Sequence, residues 1–320
     1  MELPLASRRL GAGRTRVAEQ VFRVVAASAA AALLAVLALM LFKLGQVSSP
    51  AWSKEGGELV AGTRWAPTKG FFGGLPFIYG TLVTSVIALV FAVPVGVGTA
   101  LYVSEFAPRR LRGTIGSLTD LLAAVPSVIY GLWGFFVLAP TLAPFERFLA
   151  RTLGRFIPIF ALPTVNGQPV PIVGIGYLTA GIVLAIMIIP TVSALSREVF
   201  LTVPREQREA ALAVGATRWE AIRAAVLPAA RPGVVGAVIL GLGRALGETI
   251  AVFIVIGNSP TIAKSLLAPG STMASIIVGN FSEAGPDQVQ ALIAIGLLLF
   301  GVTLVVNVFA RLLVRKRLPT

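Results

Sequence analysis

The segment of residues 75–104 reads LPFIYGTLVTSVIALVFAVPVGVGTALYVS and contains no charged residue. A helix needs roughly 20 consecutive apolar residues to cross the hydrocarbon core of a bilayer. Five other stretches also meet this condition, and we therefore predict six transmembrane helices, over residues 24–44, 75–104, 113–142, 171–196, 232–257 and 289–310. Helices are expected because a backbone in lipid must satisfy its own hydrogen bonds, and a barrel would show short alternating strands instead. Pro94, Gly96 and Gly98 are expected to interrupt the second span.

The composition of the whole chain supports this all-α membrane class. Of 320 residues, 56% are hydrophobic and 13% are charged, whereas soluble domains are about 45–50% apolar and about 25% charged. The net charge of +13 would suggest nucleic acid in a soluble protein, but the charges avoid the apolar stretches, which excludes that class. The chain has no cysteine and no histidine. Thiolate and imidazole chemistry are therefore excluded, and we expect no catalytic centre, metal ion or cofactor.

The distribution of lysine and arginine predicts the orientation, because cytoplasmic loops carry an excess of these residues. The two tails with the second–third and fourth–fifth loops hold 18 of them, and the opposite loops hold 8. Both termini are therefore predicted to be cytoplasmic. The predicted organisation is a tail (1–23), a transmembrane domain (24–310) with a cytoplasmic loop (197–231), and a second tail (311–320). The first apolar run is longer than that of a signal peptide, so we expect an uncleaved span.

The fourth–fifth loop carries the clearest local signals, in the segment REQREAALAVGATRWEAIRAAVLP of residues 205–228. Good helix formers are followed by Gly215, which is typical of the residue after a helix end. Thr217 and Glu220 have the spacing of a capping box that starts a second helix, and Pro228 is expected to end that helix. The pattern predicts two short helices with a tight glycine turn. This pair could lie on the membrane surface or dock another protein.

The same loop resembles the EAA loop of bacterial ABC importer permeases. The resemblance rests on Glu209, Ala210 and Ala211, then Gly215, then Leu227 and Pro228, at the family's spacing. One departure is Ala225, where the family has isoleucine. The resemblance implies a type I importer permease fold (MetI-like), in which this loop is a coupling helix that docks into a cytoplasmic ATPase. The chain has no G-x-x-x-x-G-K-[ST] phosphate loop, so the ATPase is expected to be a separate polypeptide.

Besides Lys43, one residue from the end of the first span, three charged residues fall inside predicted spans. Arg244 and Glu248 lie four residues apart in the fifth span and are expected to share a helix face. Buried charges in a bilayer usually face a protein interior or a wet cavity. The pair could fix helix packing, or Arg244 could lie on an anion path with Glu248 orienting it. Asp120 in the third span is a solvated end charge, a partner for an arginine, or part of an inner gate.

Two glycines lie beside these charges, Gly243 and Gly247, in a G-x-x-x-G spacing. Small residues at this spacing allow close helix approach in membranes. We therefore expect both glycines to serve helix packing, and a contact with a second permease is an alternative.

Four further stretches resemble the C-type permeases of the phosphate-specific transport system: YVSEFAP (102–108), LLAAVPSVIYGLWG (121–134), LTAGIVLAIMIIP (178–190) and GLGRALGETIAV (241–252). The resemblance implies transport of inorganic phosphate across a bacterial inner membrane. It also implies a second, homologous permease (PstA-like), two copies of a cytoplasmic ATPase (PstB-like) and an extracytoplasmic phosphate-binding protein (PstS-like).

The alternatives to this interpretation are a sulfate or molybdate permease, whose fifth span also carries Arg-x-x-x-Glu, and an ion-coupled secondary transporter. The second would need inverted repeats and its own ion site, and the sequence has neither.

Overall fold

The computed structural model describes residues 7–165 and 167–315. Within this range six helices are long and apolar enough to cross a membrane, which confirms the predicted number. Their continuous helical runs are Glu19–Glu55, Leu75–Phe106, Ser127–Thr152, Tyr177–Thr202, Arg218–Leu246 and Pro286–Leu312.

Several of these runs are built from more than one element. The α-helices in chain order are α1 (Ser7–Glu55), α2 (Glu58–Ala61), α3 (Leu75–Leu101), α4 (Arg109–Ala123), α5 (Ser127–Trp133), α6 (Ala139–Thr152), α7 (Tyr177–Thr202), α8 (Arg205–Ala213), α9 (Arg218–Ala221), α10 (Leu227–Leu246), α11 (Ile250–Val255), α12 (Met273–Asn280) and α13 (Pro286–Arg315). Turns of π-helix at Tyr102–Phe106, Gly134–Leu138 and Ile222–Val226 extend or join them. Two small hairpins, β1 (Trp65–Ala66) with β2 (Phe71–Phe72) and β3 (Thr164–Val165) with β4 (Gln168–Pro169), lie between spans.

The predicted third span, residues 113–142, is wrong. The structure divides it into the amphipathic helix α4 and a separate membrane helix that begins at Ser127. Pro126 has an extended backbone (φ −58°, ψ 138°), and a proline disfavours the helical conformation in the residue before it. The residues on both sides of Pro126 are largely apolar, so hydropathy alone does not show where one helix ends and the next begins.

The predicted fifth span, residues 232–257, is also wrong at both ends. The helix begins before Pro232 and ends at Leu246, and Gly247 to Thr249 separate it from α11. The second span, in contrast, continues without a break through Pro94, Gly96 and Gly98. Tertiary contact stabilises it there, because Gly96 lies directly against Val192 of α7.

The core of the bundle forms around α7. In the most apolar 18 residues of α7, 67% of the residues are buried. In the most apolar 18 residues of the first span, within α1, none are buried. Tyr177, Leu184 and Ile188 of α7 are among the largest fully buried side chains, and α3 packs along the same helix. The helix α7 is therefore central, and α1 lies at the periphery of the chain.

Contacts between loops show which ends of the spans lie together. Lys54 pairs with Asp287 at 3.2 Å, and Ser265 donates a hydrogen bond to the Ala161 carbonyl at 2.7 Å. These contacts join the end of the first span to the start of the sixth span, and the third–fourth loop to the fifth–sixth loop, at one end. At the other end Arg208 of the fourth–fifth loop pairs with Glu105 at 2.9 Å. The charge distribution predicts that this second end faces the cytoplasm.

Thiol labelling tests the orientation directly, because the native chain has no cysteine. We expect Ser53→Cys, exposed near the end of α1, to react in intact cells with a membrane-impermeant maleimide, and Arg205→Cys, exposed at the start of α8, to react only after permeabilisation. Both variants should label equally in detergent. The reverse order of labelling would show that the orientation is wrong.

Candidate coupling loop and translocation site

The loop after the fourth span folds as the sequence predicts. Helix α8 ends at Ala213, and Gly215 has a φ of +87°, which favours glycine. Thr217 and Glu220 form the capping box: the Glu220 carboxylate accepts from the Thr217 N–H at 2.7 Å, and the Thr217 hydroxyl accepts from the Glu220 N–H at 3.4 Å. The first short helix, the glycine turn and the capping box that starts the next helix are therefore confirmed.

The expectation that the second helix ends at Pro228 is wrong. Helix α9 continues through the π turn Ile222–Val226 into α10, and Pro228 is the second residue of that helix. Pro228 lies inside this continuous run, directly after the π turn, where the helical hydrogen-bond pattern changes. The loop is thus joined rigidly to the fifth span.

Most of the loop's surface is uncovered within this chain. Helix α8 has no buried residue: Glu209 and Ala210 are exposed, and Ala211 is half-buried. Pro228 is exposed as well, whereas Leu227 is half-buried and packs inward against a hydrophobic cluster.

Two apolar side chains at the turn were missed by the sequence analysis. Val214 is 85% exposed and Trp219 is 53% exposed. Large apolar residues at an exposed turn are typical of a contact surface. The sequence indicates them only through their positions on either side of Gly215.

Arg244 lies half-buried on α10, and its Nη1 donates a hydrogen bond to the Thr191 hydroxyl of α7 at 3.2 Å. Thr191 was not singled out from the sequence. Among residues 7–165 and 167–315 this is the one hydrogen bond of the guanidinium, whose remaining N–H groups stay available for an anion. Guanidinium groups bind phosphate oxygens in pairs of parallel hydrogen bonds.

The expected pairing of Arg244 with Glu248 is not present in the described part of the chain. The helix ends between them, and the Glu248 carboxylate instead accepts a hydrogen bond from the Ala251 N–H at 3.2 Å, at the first turn of α11. The prediction assumed an unbroken helix. Glycine at position 247 weakens that helix, and a carboxylate is favoured at the start of the next one.

Asp120 is exposed near the end of α4, outside the six membrane helices. It lines a small cavity together with Arg197 and Ser193 of α7. The guanidinium of Arg197 lies against Gly116, one turn before Asp120. Asp120 therefore lies near Arg197.

The packing role expected of Gly243 and Gly247 is not seen among the residues that the structure describes. A side chain at Gly243 would meet only the Asn307 amide, at 3.9 Å, and one at Gly247 only the Gly243 carbonyl, at 3.6 Å. Close approach occurs instead at Gly233 and Gly241, which lie directly against valines of α7.

Comparison with known proteins identifies the family. A family model described as binding-protein-dependent transport system inner membrane component matches residues 92–318. A Xylella fastidiosa protein named phosphate transport system permease protein PstC is 44% identical over 300 residues, 93% of this chain and 91% of that protein. The corresponding Haemophilus influenzae protein is 41% identical over 303 residues, 94% of this chain and 95% of that one.

The chain belongs to the PstC family of transport permeases. It is a permease subunit and not an enzyme. A Mycobacterium tuberculosis protein named PstC 2 is 43% identical over 303 residues, 92% of this chain and 91% of that protein.

Solved structures confirm the fold of this PstC-family chain. A bacterial alginate ABC transporter chain matches with a TM-score of 0.60 at 17% identity, covering 91% of this chain and 94% of that chain. A chain of the MetNI methionine ABC transporter matches with a TM-score of 0.52 at 18% identity, covering 79% and 96%. The multi-pass MetI-like permease fold expected from the sequence is confirmed.

The coupling loop can be tested at its glycine turn. We expect Gly215→Val to cost about 1–2 kcal/mol locally, because a β-branched residue is placed at positive φ. Among the described residues, no atom beyond the adjoining ones lies within 4 Å of a Cβ added at Gly215, so membrane insertion should persist while recovery of the ATPase on pull-down falls. Gly113→Val is the matched control, since it also enters open space but on a helical backbone. Normal ATPase recovery and transport from Gly215→Val would contradict a docking role.

Proposed function

We propose that the chain is the permease subunit of an ATP-driven importer that carries inorganic phosphate across the bacterial inner membrane. The observation that supports it most is the 40–44% identity, over more than nine-tenths of the chain, to proteins named as phosphate transport permeases. The complex would contain a second, homologous permease, two copies of a cytoplasmic ATPase and an extracytoplasmic phosphate-binding protein. This chain breaks no bond, and the ATP chemistry belongs to its partner.

Arg244 is our candidate for the contact with phosphate along the path. Within the described residues its one hydrogen bond, to Thr191, fixes the direction of the guanidinium and leaves other donors free. Because the Glu248 carboxylate accepts a hydrogen bond from α11 instead, it does not pair with the Arg244 guanidinium. A charged residue at the centre of a membrane helix costs about 2.5–3.5 kcal/mol of insertion free energy. Binding of an anion by Arg244 would explain why the chain carries this charge.

Glu248 takes a secondary role in this proposal. Its carboxylate stabilises the start of α11 and adds negative charge near the path, which favours release of the anion. A permeation site has to release what it binds. Asp120 belongs to the cytoplasmic end of the path beside Arg197, and Gly243 and Gly247, which are open within this chain, are available for contact with the second permease.

The partner surfaces lie at opposite ends of the bundle. At the predicted cytoplasmic end, α8 and the exposed Val214 and Trp219 form the ATPase contact. At the other end, Arg147, Arg151 and Arg155 are exposed at intervals of four residues and form a basic surface suited to a binding protein that delivers an anion.

Reconstitution decides the substrate. The chain, co-purified with its second permease and ATPase, is placed in proteoliposomes with its binding protein, and ATP-dependent uptake of phosphate, sulfate and molybdate is compared. We expect uptake of phosphate alone. Uptake of sulfate or molybdate in its place identifies the alternative permease class, and uptake driven by an ion gradient without ATP contradicts the importer.

Variants at Arg244 test the path. We expect Arg244→Gln to lower phosphate uptake by about tenfold or more, because hydrogen bonds to charged groups contribute about 1.5–3 kcal/mol, while ATPase recovery stays normal. Thr191→Val, which keeps the side-chain shape and removes the acceptor, should lower uptake less. Full uptake by Arg244→Gln would exclude Arg244 from the path.

The double variant of Arg244 and Glu248 separates the two hypotheses for these charges. Since they bond to different elements, Arg244→Gln with Glu248→Gln should remain as inactive as Arg244→Gln alone. Recovery of uptake in the double variant would indicate that the residues act as a structural ion pair.

A further inference from the structure

The guanidinium of Arg208 joins three elements at the predicted cytoplasmic end. It belongs to α8, and its Nη1 donates to the Val203 carbonyl at 2.6 Å. Its Nη2 donates to the Phe200 carbonyl at 2.8 Å and to the Glu105 carboxylate at 2.9 Å. Phe200 and Val203 are at the end of the fourth span, and Glu105 is in the π turn that ends the second. We call these three bonds the Arg208 clamp.

The clamp is more protected from water than a surface ion pair. The Arg208 side chain is 23% exposed and that of Glu105 is 12% exposed. Exposed ion pairs contribute little to stability because water screens them and side-chain freedom is lost. Here the carbonyls at the helix end also accept from the same guanidinium, which favours a cation at that position.

The carbonyl acceptors of the clamp belong to residues of a buried hydrophobic cluster. Phe200 and Val203 are buried in a hydrophobic cluster with Ala100 of α3, Ile222 and Val226 of the π turn, and Ala230 of α10. Helix α8, in contrast, has no buried residue. A cavity of about 150 Å³, lined by Glu105, Arg208, Leu212, Arg218 and Ile222 among others, lies beside it. Polar bonds through Arg208 therefore hold a helix that has little apolar packing of its own.

From this arrangement we infer that the Arg208 clamp is the link that carries movement of the coupling helix into the second and fourth spans. The inference rests on the proposed function, in which α8 docks on the ATPase. When the ATPase displaces α8, the ends of both spans follow, because one planar group is bonded to both of them. Arg208 and Glu105 are positioning residues for transport and do not contact phosphate.

Glu105→Gln is the decisive variant. It preserves the side-chain shape and the two carbonyl bonds of Arg208, so folding and α8 are retained. The bond to the second span loses its charge and weakens, because an amide oxygen accepts less strongly than a carboxylate. In proteoliposomes holding the whole complex, we expect phosphate transported per ATP hydrolysed to fall about tenfold, the scale of a lost charge-assisted hydrogen bond. ATPase recovery and ATP hydrolysis should be unchanged.

Two further variants complete the test. Arg208→Lys keeps the charge but replaces the two nitrogens that make these bonds with a single nitrogen on a flexible stem, so it should lower the same ratio. Glu105→Gln combined with Arg208→Lys should be no worse than Arg208→Lys alone, because residues in one link are not additive. Arg110→Gln, which replaces an exposed arginine at the start of α4, is the control and should leave the ratio unchanged.

The outcomes distinguish this inference from the proposed function. If the wild-type complex does not transport phosphate with ATP, the proposed function fails. If the wild type transports and Glu105→Gln keeps the wild-type ratio of phosphate to ATP, the clamp is not the link. If Glu105→Gln loses the ATPase on purification, the pair serves docking, and the inference is overturned as well.

Discussion

Close contact between α3 and α7 holds the rest of this permease in place. Gly181 of α7 lies against Ile87, and Gly96 of α3 lies against Val192, so the two backbones approach each other where larger residues would keep them apart. Within a membrane the hydrophobic effect between helices is weak, and packing of small residues drives association instead. Thr191, which orients Arg244, and Phe200, which anchors Arg208, both lie on α7. Both functional regions therefore depend on this helix.

The charges at membrane depth follow from a break in the fifth span. An unbroken helix would place Arg244 and Glu248 on one face, where they would neutralise each other. Because α10 ends at Leu246, each charge bonds to a different element, the arginine to α7 and the carboxylate to α11. Within the described residues the arginine therefore keeps donors that the carboxylate does not occupy, which is the arrangement on which the proposed anion path rests.

The predicted cytoplasmic end combines a buried hydrophobic cluster with a helix, α8, that has no buried residue. The buried cluster around Phe200 and Val226 unites three spans, and the π turn continues the fifth span into the loop without a joint. Helix α8 projects from this base with apolar side chains uncovered at its turn. A surface of this kind can move as a unit with a partner while the Arg208 clamp keeps it connected to the bundle.

The sequence by itself determined the membrane class, the number of spans and the local form of the coupling loop. Hydropathy is a sum over many residues, and the glycine turn and the Thr217–Glu220 capping box depend on neighbours a few positions apart. The resemblance of its motifs also indicated the family. Only the tertiary structure decided where the third and fifth spans break and which partners Arg244, Glu248 and Arg208 take. Those outcomes depend on packing against α7 and on contacts between residues such as Glu105 and Arg208, which are 103 positions apart in the chain, and no local pattern records them.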